Sequence, residues 1–156
     1  MLKIADTIYS GFLFVSRIGE GLGPLALRLL LAYEFGEAGI TKLRGSNWFA
    51  DIKEAFPFPL NFVPVDVSWF LATWVELLGA VALVVGFATR FFSFSLMILT
   101  VVAIVAVHSG HGYTISGGGW KLPLIYLVLF VPLLLQGAGS LSVDRLIVWR
   151  WFRSKG

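Results

Sequence analysis

The sequence contains no cysteine, and only 13% of its 156 residues are charged. Without thiolates the chain cannot form a disulfide, a cysteine-ligated zinc or iron–sulfur site, or a thiol nucleophile. A soluble domain has about a quarter charged residues, so this chain lacks the polar surface that contact with water requires. Its net charge is only +3, and the absence of a basic stripe with groove-reading elements excludes a nucleic-acid partner.

The sequence contains several long runs of apolar residues. Hydrophobic residues make up 58% of the chain, and a membrane-spanning helix needs about 20 mostly apolar residues. Four stretches meet this requirement, at about residues 22–40, 67–88, 91–109 and 120–137. We therefore predict an all-α integral membrane protein in which residues 1–156 form a single domain, a four-helix bundle.

Amphipathic segments flank the predicted spans at both ends of the chain. Residues 2–18 place apolar side chains at roughly helical spacing, which is typical of a helix that lies on a membrane surface. Residues 143–153 follow a candidate N-cap at Ser142 and carry three aromatic residues suited to the interface: Trp149, Trp151 and Phe152. Both segments are predicted to be interfacial helices.

The basic residues are divided unequally between the two ends of the predicted bundle. Seven lie on the side of the chain termini: Lys3, Arg17, Arg90, Arg145, Arg150, Arg153 and Lys155. Four lie on the opposite side: Lys42, Arg44, Lys53 and Lys121. Because basic residues are retained on the cytoplasmic side of a membrane, both termini are expected in the cytoplasm. Arg28 and Arg90 are close enough to this boundary for their guanidinium groups to extend out to it.

Acidic residues interrupt the first two spans, at a depth where a charge costs about 2.5–3.5 kcal/mol. At about 1.5 Å per residue, Glu34 and Glu76 fall near the middle of the bilayer and Glu37 nearer its outer surface. We predict that these carboxylates point into the bundle and relay protons or cations, with Lys42 or Lys121 as the counter-charge. Alternatively, they are neutral acids that hydrogen-bond between helices and stabilise packing.

His108 and His111 form an H-x-x-H pattern at the outer end of the third span. On a continuous helix the two imidazoles would share one face, and neutral imidazoles bind copper, zinc or haem iron. Glu37 or Glu54 could supply a third ligand. The glycines that follow His108 favour the alternative, in which the helix ends here and both histidines make ordinary hydrogen bonds at the membrane surface.

Aromatic residues in the first two spans could form a ligand pocket. Tyr33, Phe35 and Trp74 are candidates to line a site for a quinone ring between helices. The same residues would suit a packed core equally well, and their spacing does not separate the two interpretations.

Three motifs that occur in order resemble the DoxX-like family of membrane proteins. The first span matches the family pattern at Arg28 and at residues 39–43. The second span contains ELLGAVALVVGFATR, and the segment after the fourth span reads GAGSLSVD. The resemblance covers about residues 24–144 and implies a four-span protein of the bacterial inner (plasma) membrane.

The resemblance also implies classes of function. Some members of the family are described as subunits of quinone-linked oxidoreductases, and residues 47–74 and 117–128 look closest to members encoded beside secreted, metal-binding peptides. These likenesses imply an accessory subunit that supports redox or metal-handling chemistry at the periplasmic face. Quinone, copper and zinc are the candidate ligands, and another protein subunit or a secreted metal-binding peptide system is the candidate partner. The alternatives are a quinone-reactive oxidoreductase subunit and a non-enzymatic scaffold or transporter for a peptide or small solute.

Overall fold

The computed structural model describes residues 2–153, except for the side chains of residues 2–8, 10, 17 and 152. This part of the chain contains the five α-helices α1 (Leu2–Arg44), α2 (Val65–Val85), α3 (Thr89–Ala103), α4 (Lys121–Gln136) and α5 (Val143–Arg153). Short 3-10 helices, Phe49–Ala55 and Leu60–Phe62, connect α1 to α2. After α3 the chain continues as a π-helical turn, Ile104–His108, and a 3-10 turn, Ser109–His111. The predicted all-α fold is confirmed.

The four long helices form a ring in which each packs on its neighbours: α1 on α2, α2 on α3, α3 on α4, and α4 on α1. Their centre is filled by apolar side chains with little or no exposure, Leu31, Phe35, Leu83, Leu96, Phe130 and Leu133. Glycines let the helices approach closely. A Cβ on Gly39 of α1 would lie 2.9 Å from the side chain of Leu77, and one on Gly79 of α2 would lie 3.0 Å from Leu96. Small residues at helix contacts are typical of membrane bundles.

Two described helical segments are long and apolar enough to cross a membrane, Val65–Val85 and Thr89–His111. The helix α4 is apolar but has only 16 residues, and charged residues interrupt α1. Apolar side chains cover the outer faces of α2 and α3, where Phe70, Val81 and Phe94 are 59%, 64% and 54% exposed. An apolar surface of this extent suits contact with lipid rather than with water. The fold is a membrane four-helix bundle.

The first helix differs from the prediction. An interfacial helix over residues 2–18 and a span over residues 22–40 were expected as separate elements, but α1 runs without a break from Leu2 to Arg44 and includes Pro24. Helical periodicity is the same in one long helix and in two consecutive ones, so the pattern alone does not reveal continuity. The described part of the structure does not include the side chains of Lys3, Arg17 and Phe152 or any atom of Lys155. The predictions made for these residues therefore stay predictions.

The prediction that the guanidinium group of Arg28 extends to the membrane boundary is wrong. Arg28 is only 1% exposed, and its Nη2 donates a hydrogen bond to the carbonyl of Leu141, 2.8 Å away, in the segment after α4. The helical position of Arg28 places it on the core face of α1, together with Leu31 and Phe35, where the side chain cannot reach lipid. Arg90, in contrast, is exposed and donates to the carbonyl of Leu135 at 3.0 Å.

The segment that follows α4 also caps the turn between α2 and α3. Gly86 ends α2 with φ of 69°, and Ala88 precedes α3 with φ of 46°. The carboxylate of Asp144 accepts hydrogen bonds from the backbone N–H groups of Ala88 (2.7 Å) and Thr89 (3.0 Å). A carboxylate at a helix N-terminus satisfies free donors and complements the helix dipole. The predicted cap at Ser142 is confirmed, since its Oγ accepts the N–H of Arg145 at 3.2 Å.

Candidate functional site

An ion pair between α1 and α2 lies at the centre of the candidate site. The Nζ atom of Lys42 is 2.8 Å from Oε1 and 2.9 Å from Oε2 of Glu76. The two side chains are 15% and 6% exposed. Glu76 lies near the middle of α2, and the helices come close there because Gly39 packs against its Cβ carbon. Lys42 on the last turn of α1 can therefore reach the carboxylate and offset the cost of placing a charge inside a span.

Glu34 is held by a residue that the sequence analysis did not single out. The hydroxyl of Tyr126 on α4 donates a hydrogen bond to Oε2 of Glu34 on α1. The ring of Tyr126 packs against Phe35, with 5.9 Å between the ring centroids. A hydroxyl-bearing residue in the apolar sequence of α4 was the available signal, because a polar group in a span needs a partner. Glu34 and Tyr126 link the first and fourth helices.

Two cavities meet at the Lys42–Glu76 ion pair. The larger has a volume of about 530 Å³ and lies between α2, α3, the π-helical turn and the 3-10 helix Phe49–Ala55. The smaller has a volume of about 180 Å³ and lies between α1, α3 and α4. Five residues line both cavities: Lys42, Glu76, Leu99, Ala103 and His108. The ion pair can therefore be contacted from either cavity.

The larger cavity is mainly apolar and open at one side. Phe49 and Phe56 of the connection between α1 and α2 form part of its wall, with their ring centroids 5.3 Å apart. Leu71 of α2 and Ile98 of α3 also line it and are 52% and 49% exposed, so the cavity opens between these helices on the outside of the bundle. Besides the shared residues, Ser68 contributes a buried hydroxyl oxygen with no hydrogen-bond partner in the described structure. An apolar pocket with a few converging polar groups is typical of small-molecule sites.

The smaller cavity is more polar for its size. Glu34, Tyr126 and Thr100 line it together with the shared ion pair and His108. The hydroxyl of Thr100 donates to the carbonyl of Leu96 at 2.7 Å and keeps its oxygen lone pairs available. Such a cavity is roomy and polar enough to hold several water molecules, since each takes about 30 Å³ in the liquid.

The two histidines take different positions. Nδ1 of His108 is 2.5 Å from the carbonyl oxygen of Gly118, which means that Nδ1 carries the proton and donates. His111 lies in the exposed 3-10 turn beyond it. Glu37 and Glu54, the predicted third ligands, are both exposed. Across residues 2–153, no group of three His, Cys, Asp or Glu side chains is placed to hold a metal ion.

Several other predicted site residues lie apart from the cavities. Glu37 is exposed, about 180° around α1 from Arg28 on the core face, so it does not point into the bundle. Within the described part of the chain, Lys121 forms no ion pair with an acid; its Nζ lies 5.3 Å from the ring centroid of Tyr113. Tyr33 is 67% exposed and Trp74 40% exposed. The structure does not bring them together with Phe35, which is buried and lines the smaller cavity.

Comparison with known proteins supports the family resemblance over the first three predicted spans. The family model described as DoxX matches residues 23–109. A protein of Haemophilus influenzae, described as uncharacterized, is 48% identical over 130 residues, which cover 83% of this chain and 86% of that protein. A second uncharacterized protein of the same organism is 30% identical over 125 residues, 76% of this chain and 85% of its own length. No solved structure matches this chain.

Proposed function

The chain belongs to the DoxX family of membrane proteins, and from that premise we propose that it is an accessory membrane subunit that binds a quinone-type molecule in the larger cavity. The observation that carries the proposal is an apolar cavity of about 530 Å³ that ends at the Lys42–Glu76 ion pair. Pockets for small molecules typically have volumes of about 300–1,000 Å³. A quinone is the ligand class with matching chemistry, because it combines an apolar ring with carbonyl oxygens that only accept hydrogen bonds.

Two groups in the cavity suit those carbonyl oxygens. Lys42 has three N–H donors, and the two oxygens of Glu76 engage two of them. The hydroxyl of Ser68 is buried and has no hydrogen-bond partner among the described residues, and an unpaired buried polar group costs about 1–3 kcal/mol unless a ligand satisfies it. An apolar tail would leave through the opening between Leu71 and Ile98, directly into lipid.

The proposed setting is the bacterial inner membrane, crossed several times, with both termini in the cytoplasm. The basic residues Arg90, Arg145 and Arg150, all exposed, support this orientation, since they lie in the α2–α3 turn region and in α5. The ion pair then lies toward the periplasmic side of the bundle, where a redox subunit or a secreted peptide would be the partner. A copper or zinc role draws less support, because His108 already donates to Gly118 and has no companion ligands among residues 2–153.

The experiment that tests ligand binding uses two matched cavity-filling variants. Ala106 lines the larger cavity and Ala38 the smaller. Purified protein is titrated with a benzoquinone that carries a decyl tail, and quenching of tryptophan fluorescence is followed, because Trp48 lines the larger cavity. Saturable binding is expected in the native protein and in Ala38→Leu, with at least tenfold weaker binding in Ala106→Leu.

Thermal unfolding of each variant shows whether it is folded. If Ala106→Leu does not fold, Val102→Phe fills the same cavity from a different position. Equal affinity in the native protein and in a folded variant with the larger cavity filled would overturn the proposal. So would the absence of any saturable binding, which would favour a scaffold or a transporter of another solute.

A further inference from the structure

The smaller cavity is lined by more ionisable side chains than the larger cavity. Five of its lining residues carry ionisable side chains: Glu34, Lys42, Glu76, His108 and Tyr126. The larger cavity has only three such residues, Lys42, Glu76 and His108, and all three are shared. Every ionisable group that a ligand in the larger cavity can meet is therefore also accessible from the smaller one.

From this arrangement we propose that the smaller cavity is the proton entrance to the ligand site and that Glu76 is the group that receives the proton. The inference rests on the proposed function for the identity of the ligand, but not for the proton path. Lys42 keeps 15% of its side-chain surface exposed and His108 is partly exposed, so water reaches the cavity from its outer end. A cavity of about 180 Å³ has room for a short chain of water molecules beside Glu76.

The proton step changes the ion pair. A hydronium ion in the smaller cavity transfers one proton to a carboxylate oxygen of Glu76 and becomes water. The neutral carboxylic acid attracts the ammonium of Lys42 less strongly than the carboxylate does, and Lys42, which keeps all three of its protons, can turn to donate to a ligand oxygen in the larger cavity. A proton that reaches Glu76 from the smaller cavity therefore changes the hydrogen bonds that Lys42 can offer to a ligand in the larger cavity.

The pair formed by Glu34 and Tyr126 positions the water chain. The hydroxyl of Tyr126 donates to Glu34, so its own oxygen lone pairs face the cavity as acceptors, and the second carboxylate oxygen of Glu34 is also an acceptor. The groups that face Glu76 are Lys42 and Glu34 from α1, Tyr126 from α4 and His108 from the turn after α3. The 3-10 helix Phe49–Ala55 contributes only the apolar residues Phe49 and Ile52 to the cavity walls.

The test follows the protonation of Glu76 in the protein without any quinone. Infrared difference spectra after a rapid drop in pH report the carbonyl band of the protonated acid, and Glu76→Gln identifies that band by its disappearance. Ala38→Leu fills only the smaller cavity, and Ala106→Leu only the larger. We expect the band to form at least tenfold more slowly in Ala38→Leu and severalfold more slowly in Tyr126→Phe, with the native rate in Ala106→Leu.

Three results would overturn the proposal: native rates in a folded Ala38→Leu protein, an equal slowing in Ala106→Leu, or no Glu76 band at any pH at which the protein stays folded. Glu34→Gln keeps the hydrogen-bond geometry with Tyr126 and provides a second variant if Ala38→Leu is unstable. Because no ligand is present, these results are independent of quinone binding. Quinone can bind while the proton path fails, and protons can enter while quinone does not bind.

Discussion

Lys42 and Glu76 are 34 positions apart in the chain, yet their ammonium and carboxylate groups form the wall between two cavities of different character. The cavity on one side is mainly apolar and opens between α2 and α3, and the cavity on the other is smaller and has more ionisable side chains in its lining. An ion pair in this position can interact with molecules in either cavity. The stability of the bundle also depends on the presence of both charges, because either charge buried alone costs free energy.

Removal of one charge of the pair should destabilise the protein more than removal of both. Glu76→Gln leaves the ammonium of Lys42 enclosed without its counter-charge, and loss of one partner of a buried pair costs about 3–5 kcal/mol. Because Lys42 is 15% exposed, we expect a loss of about 1–3 kcal/mol. The double variant Lys42→Met/Glu76→Leu should recover most of it. Thermal unfolding of the single and double variants in detergent measures the coupling. Additive losses would contradict the ion pair.

Ser68→Ala should affect stability and ligand binding in opposite directions. The hydroxyl of Ser68 is buried, and no side chain or backbone group that the structure describes bonds to it, so its removal should leave stability unchanged or raise it by about 1 kcal/mol. The same change should weaken quinone binding several-fold, because the ligand loses a donor. Ser95→Ala is the control, since that hydroxyl also lines the cavity but already donates to the carbonyl of Phe91 at 3.0 Å. Titration and thermal unfolding of both variants check this pair of effects, and equal binding losses in the two would rule out a specific role for Ser68.

Asp144→Ala should destabilise the protein by about 0.5–2 kcal/mol, the usual cost of losing a helix N-cap. The change removes the acceptor for the N–H groups of Ala88 and Thr89 at the start of α3, and it also removes the negative charge that interacts with the buried Arg28. Arg145→Ala is the matched control: the side chain is exposed, and its loss should fall within about 0.5 kcal/mol of zero. Similar unfolding temperatures for the two variants would argue against the cap.

Gly86→Ala should be among the most destabilising glycine substitutions in this chain. Gly86 has a φ of 69°, and a Cβ there would overlap the guanidinium group of Arg28 and lie 2.6 Å from the Cβ of Ser142. The backbone conformation alone costs a non-glycine residue about 1–2 kcal/mol, and the overlap adds to it. Gly110→Ala is the control, because a Cβ at Gly110 meets nothing within 4 Å. The measurement is the yield of folded, monodisperse protein together with its unfolding temperature.

The proposed orientation can be tested by labelling, because the chain has no cysteine of its own. Ser116→Cys places a thiol in the exposed loop before α4, and Arg145→Cys places one on α5. In spheroplasts, a membrane-impermeant maleimide should label Ser116→Cys at once and Arg145→Cys only after the membrane is permeabilised. The reverse pattern would place the termini in the periplasm.

Much of the fold could be predicted from the sequence because apolar runs set the positions of α2, α3 and α4 within about six residues, whereas the start of α1 at Leu2 was not predicted. Less of the candidate site could be predicted from the sequence. Glu34 and Glu37 are three residues apart and were predicted to share an inward face, but the core face of α1 is set by Arg28, Leu31 and Phe35, which leaves Glu37 outside. The rotation of a helix about its axis depends on which neighbours it packs against.

The side-chain pairs within the site could not be predicted from the sequence for a related reason. Lys42 was one of two candidate counter-charges, and the choice between it and Lys121 depends on where Gly39 lets α1 approach α2. Tyr126 was not singled out at all; its hydroxyl in an apolar helix indicates that a partner is needed, but it does not identify Glu34 as that partner. Pairings between helices distant in sequence depend on packing, which the local pattern does not encode.

The hydrogen bonds made by Asp144 have a consequence for the order in which the protein is assembled. The chain emerges from the ribosome from its N-terminus, so α2, the turn and α3 are all synthesised before the residue that caps them. The free N–H groups of Ala88 and Thr89, and the buried charge of Arg28, stay without these partners until α4 has been made and the chain has returned to the same end of the bundle. The segment from Leu141 to Asp144, which includes the first residues of α5, therefore completes the bundle. A chain that stops after α4 would contain every long helix and still lack these contacts.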